Sequence, residues 1–259
     1  TDFNELPFDA IAGKIDWDQF QQVWKDGSGS GELLSHARKM LACLHSRKAI
    51  RISASLGFFR AVSEKEGIRL ETSGASCFLP MLRQQFRKTN GTPNFSLADF
   101  LPPQEAGVEA WLGCFSVGCT PDKAFCESFK DDDYSVLLIK TLAESLAEAG
   151  AEYLNERACE EWREGEVLPF IRPAPGYPAC PDHALKADIF RLLDVKRKFG
   201  FALTESYMMI PTASVCGFLI RHPRAAYFAV GKIGDDQLAE YAAKRGGTVQ
   251  GTAYFISWR

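Results

Sequence analysis

None of the eight cysteines in this 259-residue chain forms a Cys-x-x-Cys pair. That absence removes the ligand spacing of zinc ribbons and the redox motif of thioredoxin-like proteins. The thiols at 43, 77, 114, 119, 126, 159, 180 and 216 stand mostly in apolar or helical contexts, as buried free thiols do, and a reduced cytoplasmic protein is expected. Histidine is scarce, with only His36, His45, His183 and His222, and no His-x-x-x-His pair. Cys180-x-x-His183 supplies two ligands where a zinc site needs more, so no metal is expected. No apolar run approaches the roughly 18 residues of a membrane span. The most apolar stretch, Met208 to Ile220, is interrupted by Pro211, Thr212, Ser214 and Gly217. The opening TDFNELPF lacks the basic-then-apolar layout of a secretory signal. Neither Gly-x-Gly-x-x-Gly nor Gly-x-Ser-x-Gly occurs, and Gly27-Ser-Gly-Ser-Gly31 lacks the Lys-Ser or Lys-Thr that a phosphate loop requires. That patch reads as a flexible surface loop. A formal net charge of −3, with Lys and Arg scattered among acids, gives no field to draw the chain onto nucleic acid or an anionic membrane.

What is present is an average globular composition, 46% hydrophobic and 24% charged, long enough for one large domain or two small ones. Leu137, Leu138, Leu142, Leu146, Ala149, Tyr153 and Leu154 follow a helical period, predicting a helix from about Tyr134 to Trp162 behind the acidic run Asp131 to Asp133. A second helix is predicted from His183 to Phe199, capped by Asp182 and closed by Lys196, Arg197, Lys198 and Gly200. A third, Asp235 to Arg245, ends at Gly246. Strands are predicted at Ser214–Ile220 and Tyr227–Ile233 as a hairpin, with further strands at Ala49–Ile52, Ile68–Leu70 and Trp111–Val117. Helices and strands mix without regular βαβ alternation, which indicates an α+β fold.

The most unusual segment is Leu168-Pro-Phe-Ile-Arg-Pro-Ala-Pro-Gly-Tyr-Pro-Ala-Cys-Pro181, with prolines at 169, 173, 175, 178 and 181. Proline fixes φ and removes a backbone donor, so the segment should be extended and stiff, with carbonyls left to accept bonds from a ligand. Gly176 is where the backbone can turn or be approached closely. Arg172 brings a planar fork suited to a carboxylate, and Tyr177 an aromatic face. A proline-rich connector between two helices is the structural alternative. Glu144, Glu148, Glu152 and Glu156 recur every four residues, where like charges repel by about 0.2–0.5 kcal/mol per pair. They form either a solvated face or a set with one or two carboxylates aimed at a cationic ligand. Asp16, among apolar residues, is either a helix N-cap or a further acid of that kind.

Arg172-Pro-Ala-Pro-Gly-Tyr-Pro-Ala-Cys-Pro-Asp-His183 resembles the S-adenosylmethionine-binding motif of the reactivation domain of cobalamin-dependent methionine synthase. The resemblance continues, in order, through Ile15-Asp-Trp17, Leu82-Arg-Gln-Gln85, Leu97-Ala-Asp-Phe100, Asp132-Asp-Tyr134, Leu146-Ala-Glu-Ala149, Ala151-Glu-Tyr-Leu154, Leu203-Thr-Glu-Ser-Tyr207, Ala213-Ser-Val215 and Tyr227-Phe-Ala-Val230. It spans about residues 8 to 246. It implies one C-shaped α+β domain over residues 1–259, with a central twisted antiparallel sheet flanked by helices and a tail after residue 246 that diverges. It also implies a function: binding S-adenosylmethionine and restoring methylcobalamin when the cofactor has been oxidised to cob(II)alamin, with an electron from a flavodoxin-like or other one-electron reductant. Carried over residue by residue, Arg172 would pair with polar groups of the methionyl end, and Asp16 and Glu148 would answer the ligand's positive charges. Ala174, Gly176 and Tyr177 would offer backbone to the adenosine. Tyr227 and Phe228 match an aromatic pair bordering the ligand, one of which is expected to be hairpin core.

The departures matter to the partners. The cobalamin signature Asp-x-His-x-x-Gly is absent, so cobalamin is expected only through a partner or further modules, and the chain by itself is incomplete as an enzyme. Near Gly27–Gly31 the sequence is shorter than the family pattern, Thr212 replaces a glycine, and Cys216 a serine. Two other functions remain open: a docking or regulatory module of a corrinoid system that does not bind S-adenosylmethionine, and an independent small-molecule methyltransferase, which would need a base that no residue obviously supplies.

Overall fold

The computed structural model describes residues 1–24, 30–72, 75–88, 91–162 and 170–257. Its strands are β1 (Asp2–Phe3), β2 (Ile50–Ser63), β3 (Gly67–Thr72), β4 (Ala75–Pro80), β5 (Trp111–Pro121), β6 (Phe170–Ile171), β7 (Ala202–Leu203), β8 (Met209–Ile210) and β9 (Ser214–Arg221). Its helices are α1 (Phe8–Ala12), α2 (Trp17–Trp24), α3 (Ser30–Ser46), α4 (Lys123–Glu127), α5 (Asp133–Glu161), α6 (Leu185–Leu193), α7 (Val195–Phe199), α8 (Asp235–Arg245) and α9 (Val249–Tyr254). The central sheet runs β4-β3-β2-β5-β9-β6, with β1 added on β2, and β7 and β8 form a separate pair. The pairs β1/β2, β2/β3, β3/β4 and β6/β9 are antiparallel. This is the α+β arrangement of helices around an antiparallel sheet that the element pattern indicated.

Two compact units emerge, one made of residues 1–56, 116–160 and 194–215, the other of 57–115, 161–193 and 216–259. In the first, α5 is the long helix predicted from the leucine period. Asp132 starts it, its carboxylate accepting from the backbone N–H of Ser135 at 3.1 Å and its hydroxyl at 2.6 Å. These bonds hold the Asp132 carboxyl below its usual range. Leu142, Leu146 and Leu154 are fully buried, each contributing about 1.5–3 kcal/mol. Between them the helix narrows to Ala143, Ala147, Gly150 and Ala151. A Cβ on Gly150 would sit 2.9 Å from the Val117 side chain of β5, so the small face permits the close approach of helix to strand.

Several expectations change in the structure. The helix expected over residues 183–199 is two helices, α6 and α7, broken at Asp194 in the left-handed region (φ 54°, ψ 36°). Leu193 and Val195 are both buried, and two residues apart on one continuous helix they would point about 200° from each other. The break lets each be buried, Leu193 within the second unit and Val195 within the first. Asp182 does accept from the backbone N–H of Ala184 at 2.8 Å, but the helix proper begins at Leu185.

The hairpin strand expected at Tyr227–Ile233 does not form, because its backbone bonds go elsewhere. Val230 N–H donates to the Pro178 carbonyl (2.8 Å), the Ala229 carbonyl accepts from the Gln84 amide (2.7 Å), and Gly231 has φ +75°. The segment crosses the second unit as irregular chain, burying Val230 and Ile233 with Leu82, Leu238, Tyr241, Ala253 and Ile256. Of the glycine-serine patch, Gly27, Ser28 and Gly29 lie outside the described residues, as do Leu168 and Pro169 of the proline-rich segment. Ser30 and Gly31 begin α3 rather than a loop. Among the described residues no helix is long and apolar enough to cross a membrane.

Candidate functional site

The proline-rich segment enters as β6, whose Phe170 and Ile171 pair with Arg221 and Ile220 of β9. Pro173 cannot continue the ladder as a donor, but its carbonyl accepts from Phe218 N–H of β9 at 2.9 Å. The chain then coils into a compact double turn. Tyr177 N–H donates to the Ala174 carbonyl (3.2 Å), Cys180 N–H to the Tyr177 carbonyl (2.8 Å), and Gly176 N–H to the Cys180 carbonyl (2.7 Å). The Pro178 and Pro181 carbonyls accept from Val230 N–H (2.8 Å) and Ser257 N–H (2.9 Å). This corrects the expectation of an extended segment with its carbonyls open. The prolines stiffen a turn whose carbonyls mostly bind the chain's own donors.

Gly176 is required twice over. Its φ of +97° is one that L-residues rarely adopt, and a Cβ there would lie 2.2 Å from Cε1 of His183. The turn leaves the Tyr177 side chain 62% exposed. Arg172, half-buried, sets its guanidinium carbon 5.8 Å from the Phe115 ring centre, and its backbone N–H donates to the Tyr227 hydroxyl at 2.8 Å. Tyr227 is 65% exposed, whereas Phe228 packs against the apolar cluster beside Phe95 and Phe100, at 6.0 and 6.2 Å between ring centres. Of this aromatic pair, Phe228 is partly buried against the core cluster and Tyr227 stands free of it, and neither belongs to a strand. The second unit thus brings together Arg172, Ala174, Gly176, Tyr177 and Tyr227.

Asp16 and Glu148 belong to the first unit. Asp16 is the N-cap of α2, its carboxylate accepting from Gln19 N–H at 2.9 Å. Glu148 lies on the exposed face of α5 with Glu144, Glu152 and Glu156, and Glu156 pairs with Lys14 at 2.6 Å.

Around the motif, sequence reasoning missed a polar support. Asp182, 1% exposed, accepts from the Tyr241 hydroxyl of α8 at 2.8 Å as well as from Ala184 N–H. Burial pushes its carboxyl up, and those two donors with Arg245 offset part of the rise. Arg245 in turn reaches Asp188 of α6 at 2.5 Å. Arg83 binds Asp99 through both terminal guanidinium nitrogens (2.6 and 2.7 Å) and Glu66 through Nε at 2.8 Å, tying together two of the quoted segments. The thiols of Cys180 and Cys216 are buried and raised by that burial, Cys216 to about 12, so neither is a nucleophile at neutral pH. Among the described residues no group of three or more His, Cys, Asp or Glu could hold a metal ion.

In sum the motif offers a guanidinium, exposed aromatic faces and a glycine turn, a set suited to binding a polar ligand with a planar ring. Among solved structures, one described as a crystal structure of the MetH reactivation domain bound to AdoHcy superposes with a TM-score of 0.87; it is 32% identical, over 98% of this chain and 90% of that one. The profile of the family described as "Vitamin B12 dependent methionine synthase, activation domain" matches residues 7–246, through both units. The chain belongs to the activation-domain family of vitamin B12-dependent methionine synthases.

Proposed function

We propose that this chain binds S-adenosylmethionine through the Arg172–Tyr177 motif and supports the reductive methylation of oxidised cobalamin in a cobalamin-dependent methionine synthase or a related corrinoid methyltransferase. The observation that carries the proposal is the Gly176 turn, with Arg172, Tyr177 and Tyr227 gathered around it. Bound there, S-adenosylmethionine supplies an activated methyl group. Arg172 contributes a fixed positive fork for the polar methionyl end, and its stacking on Phe115 limits where that fork can go. The backbone of Ala174, Gly176 and Tyr177 contacts the adenosine, with Tyr227 and Phe228 at its border. Asp16 and Glu148 are assigned to the ligand's positive charges on the strength of the family resemblance. Cobalamin comes from a partner chain or further modules, and the electron from a flavodoxin-like or other one-electron reductant. With eight free thiols, a reducing cytoplasmic setting suits the chain.

An independent methyltransferase would need an activated nucleophile or base at the motif, and the neutral, buried Cys180 and Cys216 do not provide one. Calorimetric titration of the chain with S-adenosylmethionine and with S-adenosylhomocysteine, free of metal and corrin, tests the binding. Heat at millimolar ligand or below is expected, and its absence with both ligands overturns the proposal. With a cobalamin-binding partner and reductant present, the visible spectrum of the corrinoid should convert to that of methylcobalamin. Equal conversion without this chain would remove the reactivation role.

A further inference from the structure

The family match ends at residue 246, yet the residues after it close on the motif. Helix α9 lays Ala253 into the apolar cluster, and Ile256 follows it there. The chain then runs beside the end of the proline-rich turn: His183 N–H donates to the Phe255 carbonyl, and Ser257 N–H to the Pro181 carbonyl, both at 2.9 Å. The Ser257 hydroxyl lies 2.9 Å from Nε2 of His183, and on the other side of the ring the Lys186 ammonium is 3.0 Å from Nδ1. An ammonium has only donors, so Nδ1 must present its lone pair and Nε2 must carry the hydrogen given to Ser257. One neutral tautomer satisfies both contacts. The ring so held lies against Gly176, where an added Cβ would be 2.2 Å from Cε1 and 2.6 Å from Nδ1.

We propose that His183 is the positioning residue of the Gly176–Tyr177 turn, clamped as its Nε2–H tautomer between Lys186 and Ser257 of the C-terminal segment. The proposal rests on the functional reading above, in which that turn receives S-adenosylmethionine. The ring supports the backbone of the turn from beneath and touches no ligand itself. Protonation would place an N–H at Nδ1 against the Lys186 ammonium, so the clamp opens as the ring takes up a proton. The charged and titratable groups facing the ring are Lys186 of α6 and Asp182 of its own turn. Arg245 and Tyr241 of α8 act on Asp182, and Cys216 of β9 acts on Lys186. Burial and Lys186 both disfavour the charged ring; they outweigh the attraction of Asp182 and hold His183 below its ordinary range.

The test uses the whole chain. Nitrogen-15 NMR of labelled histidine at pH 7.5 should show His183 protonated at Nε2 and bare at Nδ1. The dissociation constant for S-adenosylhomocysteine, whose own groups do not titrate between pH 5.5 and 7.5, should rise toward the acid end. His183→Gln, which has a donor and an acceptor but no titration, should bind with a flat pH profile. Ser257→Ala should weaken binding about two- to tenfold with an unchanged circular dichroism spectrum. An Nδ1–H tautomer, or the same pH profile in the parent and His183→Gln, overturns the clamp. A parent that binds no S-adenosylhomocysteine at either pH overturns the functional reading instead, and the tautomer measurement still decides whether the ring is held as described.

Discussion

Arg172 shows how one residue carries two jobs in this protein. Its backbone N–H secures the Tyr227 hydroxyl, and its guanidinium stacks on Phe115 at 5.8 Å. Arg172→Ala deletes only the side chain, so the backbone bond and the fold should survive. A charge-assisted bond contributes about 1.5–3 kcal/mol, so affinity for S-adenosylmethionine should fall about ten- to a hundredfold by calorimetry. Arg172→Lys should recover part of it, since an ammonium lacks the planar fork. An unchanged dissociation constant in Arg172→Ala would make the motif structural. Gly176→Ala acts differently. It meets both a φ of +97° and the His183 ring, and should cost about 1–3 kcal/mol of unfolding free energy in a urea titration. A loss below about 0.5 kcal/mol would mean that the turn relaxes freely.

Elements in the second unit are held to the motif by buried polar groups as well as by sheet hydrogen bonds. Helix α8 reaches the turn through the Tyr241 hydroxyl on Asp182, and its Arg245 binds Asp188 of α6. Tyr241→Phe keeps the buried ring but removes a donor from a carboxyl that is 1% exposed. The expected cost is about 1–3 kcal/mol, seen as a lower denaturation midpoint with an unchanged m-value. No change would mean that water or Arg245 takes over the vacant bond. The segment 227–234 illustrates the same point: Gln84 and Gln85 take its backbone groups, Gln85 accepting from Gly234 N–H at 2.7 Å, and a stretch with strand composition remains irregular.

For the molecule as a whole, pH should act first through histidine. His183 is lowered by burial and by Lys186, and His222 by burial and by Arg224. As pH falls through about 6.5, the unfolded chain takes up protons that these folded rings still refuse. Their contribution is therefore full above that value and is lost as pH drops toward the folded-state values. Asp182 has the opposite sign, because its raised carboxyl keeps a proton that the unfolded chain has released; that contribution is full below the ordinary carboxylate range and fades as pH rises. The melting temperature should thus fall between pH 7.5 and 5.5, and His183→Gln and His222→Gln should each flatten the fall. A parent whose melting temperature is level across that window would contradict this.

Local signals alone determined a good part of this protein. The leucine period and the acidic start specified α5, Gly246 ended α8, short strand-like runs marked β9 and parts of β2, β3 and β5, and the motif from Arg172 to His183 carried the family. These are contacts between residues close in sequence, or a pattern that one element satisfies by itself. The tertiary structure decided what depends on distant partners. It broke the helix at Asp194 so that Leu193 and Val195 could both be buried, and it gave the backbone of 227–234 to Gln84, Gln85 and Pro178 in place of a strand. It also turned His183 from an isolated histidine into a ring packed on Gly176 and bonded to Ser257. Each of these turns on which buried polar group is satisfied by which remote donor or acceptor, and nothing in the sequence spacing records that.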